Sequence, residues 1–486
     1  FAAAGGTGVI EITANSGCAW TAASNATWIT INSGGSGIGI GAVAYTVAAN
    51  PTTLARTGTL TVAERTVTIT QEALTCTYEL MPTSQSFDAT GGTGNVEMKT
   101  NAATCSWAAT SNADWLTITS GGSGSGNGTI RYSVSANNSP NSRRATITGG
   151  GQIFSVTQAG ITCTYQLSKT SENVPNSGGV VEVNVTSQTS CTWTATSQAI
   201  WITITSGATG TGNGPVAFTA SPNITTAQRQ GTLTIAGQTF TVTQSAPNAL
   251  SSVSAASYLA AIAPDSIAVI FGTNLATRAE PAGTNPLPTT LAGTSVRIRD
   301  SAGTERLASL FFVSATQINY LIPAGLAEGA ASVLVTSGDG TLSLGTITLT
   351  NVAPGLFAAN ANGSGIAAGL VLRVKADGSQ VYENLAQFDA AQGRFVPLPI
   401  DLSNATEQVF LLLFGTGFRN TARLSDVTVQ IGGASAEALY AGRQGDLVGL
   451  DQLNVRLNRN LMGRGELDVL FSIAGRSANP VRISVK

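Results

Sequence analysis

Histidine is absent from this chain of 486 residues. Its absence excludes Ser-His-Asp triads, Cys-His dyads, HExxH zinc sites and histidine-ligated haem. Charge is scarce as well: 10% of residues are charged, and Lys+Arg 24 against Asp+Glu 26 leaves a net charge of −2. So neutral a chain lacks the basic surface that phosphate backbones require, which argues against nucleic acid as a partner. The longest apolar runs, such as Val409-Phe-Leu-Leu-Leu-Phe414, fall far short of the ~20 residues of a membrane-spanning helix. Lysine is confined to Lys99, Lys169, Lys375 and Lys486. A self-forming Lys–Asn isopeptide staple in every domain is thereby excluded, because residues 1–74 and 247–352 contain no lysine.

What the chain has is glycine, serine, threonine and β-branched residues in short alternating runs. Hydrophobic residues make up 42% and Gly numbers 55, so a core can form, and the pattern predicts an all-β protein. At ~100–200 residues per domain, the length implies several domains. The chain opens at Phe1 without an initiator Met, which reads as a processed secreted chain. Composition changes near Pro247-Asn248. Residues 1–246 hold nine acids, eight bases, all six Trp and all five Cys.

The first half is a threefold repeat. Trp20, Trp107 and Trp193 are spaced 87 and 86 apart, and Trp28, Trp115 and Trp201 share those spacings. So do Cys18, Cys105 and Cys191, and Gln71, Gln158 and Gln244. Each unit carries Cys-x-Trp, a second Trp eight residues after the first, a Gly-rich turn and a closing strand ending in Thr-Gln. In the second unit, turn signals cut seven strands, near 76–80, 94–100, 104–110, 115–119, 128–136, 143–148 and 152–158. That suits an immunoglobulin-like sandwich. The units resemble BACON domains, a bacterial β-sandwich family, through Cys-Thr-Tyr-x-Leu at 76–80 and 163–167, Asn112-Ala-Asp-Trp-Leu-Thr-Ile118 and the Thr-Gln exit. The resemblance covers about half the chain and implies carbohydrate binding beside other surface domains.

Cys76 and Cys105 lie 29 apart, and Cys163 and Cys191 lie 28 apart. Each pair links the first strand of a unit to a later one, so two intradomain disulfides are expected; the alternative is buried free thiols in a reducing compartment. No unit has the CxxC spacing of a thiolate metal site, and no metal or other cofactor is expected. Cys18 is left over, as an unpaired or intermolecular thiol. Unit one opens only four residues before Gly5-Gly-Thr-Gly8, whereas unit two runs from Thr75 to Phe87 before its matching turn. The first strand of unit one, with a partner for Cys18, lies either upstream in the same chain or on a neighbouring subunit that donates it.

Alternation with period two turns Trp20, Trp107 and Trp193 inward with the cysteines. It sets Trp28, Trp115 and Trp201 on the opposite face from Ile29, Leu116 and Ile202. These three Trp are candidate carbohydrate contacts; the alternative is an indole folded over the sandwich edge by a bend at the strand start.

The second half is a duplication. Ile267-Ala-Val-Ile-Phe-Gly-Thr-Asn-Leu275 matches Phe410-Leu-Leu-Leu-Phe-Gly-Thr-Gly-Phe418, and Gln317-Ile-Asn319 matches Gln452-Leu-Asn454. Ala263-Pro-Asp-Ser266, Leu287-Pro-Thr-Thr-Leu291, Pro354-Gly-Leu-Phe357, Gly449-Leu-Asp-Gln-Leu-Asn454 and Gly463-Arg-Gly-Glu466 complete a resemblance to the Solibacter-type C-terminal domain of secreted acidobacterial proteins. The Gly-Thr-Asn-Leu segments resemble TIG modules, which are immunoglobulin-like scaffolds. Asp451 and Asp377 are the acids nearest to a motif, and both read as turn residues bonded to backbone, so no catalytic residue is assigned. Seven Asn-x-Ser/Thr sequons, at Asn25, Asn127, Asn137, Asn184, Asn223, Asn362 and Asn404, are of a kind frequent in so polar a chain.

The expected domains are 1–74, 75–160 and 161–246 (three BACON-like repeats), 247–352 (a TIG-like module), 353–404 (a β-rich connecting segment) and 405–486 (a second TIG-like module). The whole reads as tandem immunoglobulin-like sandwiches arranged in line: a secreted or cell-surface structural protein without catalysis. It would associate head to tail into a filament or adhesion stalk, or bind a polysaccharide, with no membrane span and no nucleic acid.

Overall fold

The computed structural model covers residues 1–486 and describes all of them except Ala422 and Asp446. Among the described residues the regular elements are β-strands, apart from two single-turn 3-10 helices at Leu424–Asp426 and Arg459–Leu461. The chain divides into two compact units: Phe1–Ser168 with Asn184–Thr194 and Thr209–Gly214, and Lys169–Val183 with Ala195–Ala208 and Pro215–Lys486. The division runs through the third repeat.

The second repeat shows the plan most fully. One four-stranded sheet runs Leu116–Ser120, Gly128–Val134, Gly92–Thr100, Tyr78–Met81. A five-stranded sheet runs Ser123–Ser125, Ser106–Ser111, Arg143–Gly149, Gln152–Gln158, Ser84–Phe87. Val96, Met98, Leu116, Ile130, Tyr132 and Phe154 form its core, each at an alternate position of a strand whose other face is polar. The third repeat has the same two strand orders.

Two of these strands lie outside the seven expected ones. Ser123–Ser125 falls in the Gly-rich segment whose composition predicts a turn, yet it pairs with Ser106–Ala108. Gly124 is needed there because a Cβ would sit 2.6 Å from the Trp107 ring. Ser84–Phe87 runs parallel to the closing strand, Ser84 opposite Ser155 and Phe87 opposite Gln158.

The first repeat keeps a three-stranded sheet, Gly6–Ile12, Gly41–Val47, Ile29–Ser33, and a four-stranded one, Ser36–Ile38, Ala19–Ser24, Arg56–Val62, Arg65–Gln71. Among the described residues, nothing occupies the positions held in its sisters by Tyr78–Met81 and by most of Ser84–Phe87. Phe1 stands where Phe87 stands: Glu72 N donates to Phe1 O at 2.9 Å, as Ala159 N does to Phe87 O at 3.0 Å.

In the second half, a six-stranded sheet that includes Ser295–Arg299, Gly329–Thr336 and Leu342–Leu349 belongs to the same module as a five-stranded sheet that includes Ile267–Phe271, Ser309–Val313 and Gln317–Leu321. The remainder corrects one expectation. Residues 353–404 are not a connecting segment, because Gly369–Val374 pairs along its length with Gln408–Leu413 inside a ten-stranded sheet. Leu356, Val371, Leu385 and Ile400 join Leu411, Val455 and Phe471 in one core. The strand Gly369–Val374 alternates too weakly in sequence to announce itself, and its partner lies more than thirty residues away.

Candidate functional site

Both expected disulfides are present. Cys76 is bonded to Cys105 and Cys163 to Cys191, each with a Cα–Cα distance of 5.6 Å. Cys18 is free and exposed. Trp20, Trp107 and Trp193 are buried, and each indole donates to the carbonyl of the glycine that follows the Gly-rich strand: Gly39 at 3.0 Å, Gly126 at 2.8 Å and Gly212 at 2.8 Å.

Trp28, Trp115 and Trp201 are half-buried. Each lies one residue before its strand begins, at Ile29, Leu116 and Ile202, so strand alternation does not set its direction. In all three the guanidinium of an arginine covers a ring face. Arg56 Cζ lies 4.4 Å from the Trp28 ring centroid, Arg143 Cζ 4.4 Å from Trp115 and Arg229 Cζ 4.3 Å from Trp201. One face of each indole thus already carries a cation–π partner.

The arginines are fixed by the repeat's glutamines. Arg143 Nε donates to Gln158 Oε1 at 2.8 Å, and Arg143 Nη2 to the carbonyls of Ser135 at 2.7 Å and Ala136 at 3.1 Å. Gln158 is fully buried, and its amide donates to Ala89 O at 3.2 Å and Ser135 O at 2.9 Å. Arg56 with Gln71 and Arg229 with Gln244 repeat the arrangement at 2.9 Å and 2.7 Å. The sequence reading missed the arginines, although Arg56, Arg143 and Arg229 keep the same 87 and 86 spacings. Asn50, Asn137 and Asn223 also recur at these spacings. They are buried, and each side-chain amide donates to two backbone carbonyls. The sequons at Asn137 and Asn223 are therefore structural corners with no free amide.

In the second half, Asp451 is fully buried, and more than a turn holds it. Its carboxylate accepts from Phe418 N at 2.8 Å, Arg419 N at 3.1 Å and Arg419 Nε at 2.7 Å. Burial pushes this carboxyl above the usual range, against the pull of the Phe418 amide and the Arg419 charge. Asp377 lies in a turn, accepting from Ser379 N at 2.9 Å. A groove of about 370 Å³ is lined by Tyr258, Phe311, Gln317, Asn319 and Phe357, among others. Gln317 and Asn319 are tied to each other at 2.8 Å, as Gln452 and Asn454 are at 2.6 Å. The described residues contain no group of three or more Cys, Asp or Glu placed to hold a metal ion.

Comparison with known families finds matches in the N-terminal part. The family described as "Viral BACON domain" matches residues 77–163 and 154–251. The family described as "Putative binding domain, N-terminal", also a BACON family, matches residues 19–72. No curated protein matches the chain. Among solved structures, a Bacteroides ovatus GH5 xyloglucanase in complex with a XXXG heptasaccharide is 22% identical, with 18% of this chain and 19% of that chain covered and a TM-score of 0.16. The chain thus spans about a fifth of that enzyme. The I9-I11 tandem from titin is 10% identical, with 57% of this chain and 99% of that chain covered and a TM-score of 0.23. InvD from Yersinia pseudotuberculosis is 11% identical, with 57% and 98% covered and a TM-score of 0.16. The protein is all-β, with paired sheets repeated along the chain, and residues 19–72 match a family described as a putative binding domain. Its two disulfides fit an oxidising compartment. Among the described residues no helix is long and apolar enough to cross a membrane.

Proposed function

We propose that the chain is a non-enzymatic structural protein, secreted or held at the cell surface, that serves as a subunit of an extracellular filament or adhesion stalk. The observation that carries this reading is the closure of successive domains onto one another by hydrogen bonds. Within the first unit, Thr104 Oγ1 donates to Pro51 O, and one repeat further on Ser190 Oγ donates to Asn138 O at the matching position. Within the second unit, the buried Asn176 side chain accepts from Leu342 N at 3.0 Å and donates to Leu342 O at 3.1 Å. Direct bonds between neighbouring domains within a unit, the buried pair at Asn176 above all, favour a structural role over freely moving beads, whose domain interfaces are expected to move. The resemblance of residues 248–486 to the Solibacter-type C-terminal domain, with TIG-like modules, supports the same reading. Negative-stain imaging of native material tests it: regular filaments are expected, and a dispersed monomer at native concentration refutes it.

A second reading, carbohydrate binding by the repeats, is favoured by the binding-domain description of the family matching residues 19–72. The indole edges of Trp28, Trp115 and Trp201 are the contacts it would use. A soluble-glycan pull-down with Trp115→Ala tests it, since only this reading requires affinity to fall.

A further inference from the structure

We propose that the groove beside Tyr258, in the second half of the chain, is a binding site for a neutral saccharide. The site is separate from the tryptophans of the repeats and does not depend on sugar binding there. It lies on the outward face of the sheet that includes Ile267–Phe271 and Gln317–Leu321. Ile267, Val269, Gln317 and Asn319 line it, whereas Ala268, Ile270, Ile318 and Tyr320, which alternate with them, belong to the core. Phe357, Ala358 and Ala361 form a wall. The volume of about 370 Å³ falls within the ~300–1,000 Å³ of small-molecule sites.

Tyr258 is set in place before any ligand arrives. Its φ of 58° lies in the left-handed region, which is uncommon for an aromatic residue and costs backbone strain. Its N–H donates to Ser254 O at 3.0 Å and its hydroxyl to Ala361 O at 2.7 Å. The ring lies against Gly363, where a Cβ would come within 2.9 Å of Tyr258 Cδ2. The Phe271 ring is stacked beside it, 6.4 Å between centroids and 13° between planes. With all these contacts the residue is still 40% exposed. A strained, anchored and open aromatic side chain serves no core, and it loses little freedom when a ligand covers it.

The polar groups of the groove decide the ligand class. Gln317 Nε2 donates to Asn319 Oδ1 at 2.8 Å, which fixes both amides and leaves Gln317 Oε1 as an acceptor and Asn319 Nδ2 as a donor. A pyranose ring has an apolar C–H face and a rim of hydroxyls that each donate and accept. An open aromatic ring beside an adjacent donor and acceptor matches both. Among the described residues the lining carries no charged side chain, so an acidic sugar or a phosphate would be buried without a counter-charge. A wholly apolar ligand would cover the two amide groups unpaired. A peptide strand finds no free main-chain edge here: Ile267–Phe271 pairs with Ser251–Ser254 and with Gln317–Leu321, which pairs in turn with Ser309–Val313.

The duplicated module supplies an internal control. There Gln452 Nε2 donates to Asn454 Oδ1 at 2.6 Å, so the amide tie belongs to both copies. The aromatic residue opposite Asn454 is Tyr440. It turns back along its own strand, with its hydroxyl on Arg443 O and its ring close to Gly442, where a Cβ would sit 2.9 Å from Tyr440 Oη. The tie alone is therefore part of the sheet, and the anchored Tyr258 ring is what makes a site of the first copy.

The test is calorimetric titration of the full chain with cellopentaose, laminaripentaose and mannopentaose as neutral probes and with an oligogalacturonate as the acidic one. At least one neutral probe should bind and should slow hydrogen exchange at 255–258 and 355–363 of the unaltered chain. Tyr258→Ala and Asn319→Leu should each weaken that binding about tenfold or more. Asn454→Leu and Trp115→Ala should leave it unchanged. Binding of none of the neutral probes overturns the proposal, as does tighter binding of the oligogalacturonate. Binding that survives Tyr258→Ala, or that leaves exchange at 255–258 unaltered, overturns it too; if that binding is lost in Trp115→Ala, the sugar sits on the repeats instead.

Discussion

The Arg143 guanidinium lies 4.4 Å from the centre of the Trp115 ring while its Nε donates to Gln158 at 2.8 Å. One side chain thus ties a half-buried indole to a fully buried amide, and the same clasp recurs in each repeat. Replacing Gln158 with Leu leaves the Ala89 carbonyl and the Arg143 Nε without this partner in a buried place. The expected cost is about 2–3 kcal/mol. Arg143→Lys keeps the charge but loses the planar fork and its stack, at about 1–2 kcal/mol. Arg144→Ala, one residue away and exposed, should change little. Urea unfolding followed by Trp fluorescence measures all three, and equal effects at Arg143 and Arg144 would dismiss the clasp.

The disulfides should contribute in the usual range for loops of this size. Removing the Cys76–Cys105 bond, with its separation of 29 residues, by the double change Cys76→Ala and Cys105→Ala is expected to lower the stability of the second repeat by about 2–4 kcal/mol. Peptide mapping without reductant should return Cys76 with Cys105 and Cys163 with Cys191. Recovery of those four as free thiols from native material would contradict the pairing and the oxidising compartment with it.

How much of this was legible in the sequence depended on residue chemistry. Cysteine and tryptophan are rare, so their recurrence at 87 and 86 exposed the repeat, both disulfides and the three core indoles. Arg56, Arg143 and Arg229 obey the same spacing, but a charged residue reads as solvated surface until its partners are seen. Ser123–Ser125 was hidden by composition: a strand of Ser and Gly looks like a turn, and the Trp107 ring fills the space its missing side chain leaves. The place of Gly369–Val374 in the last sheet rests on a pairing too distant for local pattern to reveal. Strand periodicity gives Trp115 a face, yet the strand starts only at Leu116.

Among the described residues of the second half, Asp451 and Arg419 form the most deeply buried ion pair, with side-chain exposures of 0% and 7%. Asp451→Asn strips the guanidinium of its counter-charge without restoring water to it. A loss of about 3–5 kcal/mol is expected, whereas replacing both members with apolar residues should cost much less. Thermal unfolding of Asp451→Asn beside the double variant Asp451→Leu with Arg419→Met separates the two. If the single change is the milder one, the pair is not what holds Phe418 and Arg419 against the strand that begins at Asp451.

Acid should loosen the second half before the first. Five carboxyls between residues 300 and 401 are held below the usual range. Asp300 is lowered chiefly by the Ala327 amide, Asp339 by the Thr341 amide, Asp377 by the Ser379 hydroxyl and Asp389 by the Gln392 amide. Asp401 falls to about 2, chiefly through the Ser403 hydroxyl. A carboxyl whose folded pKa lies below its unfolded value of about 3.9 adds stability above that value. That stability is lost as the pH falls toward the folded pKa. Asp451 acts in the opposite sense: its folded pKa is raised, so its contribution is present below about pH 3.9 and is lost as the pH rises through the folded value. Five groups against one predict net loss between about pH 4 and about pH 2. All six Trp lie in residues 1–246, and a disulfide ties two strands together in each of the second and third repeats, which hold four of them. Far-UV circular dichroism should therefore change on acidification while Trp emission stays native. Simultaneous change of the two signals would show that acid acts on the whole chain and not on the turns between 300 and 401.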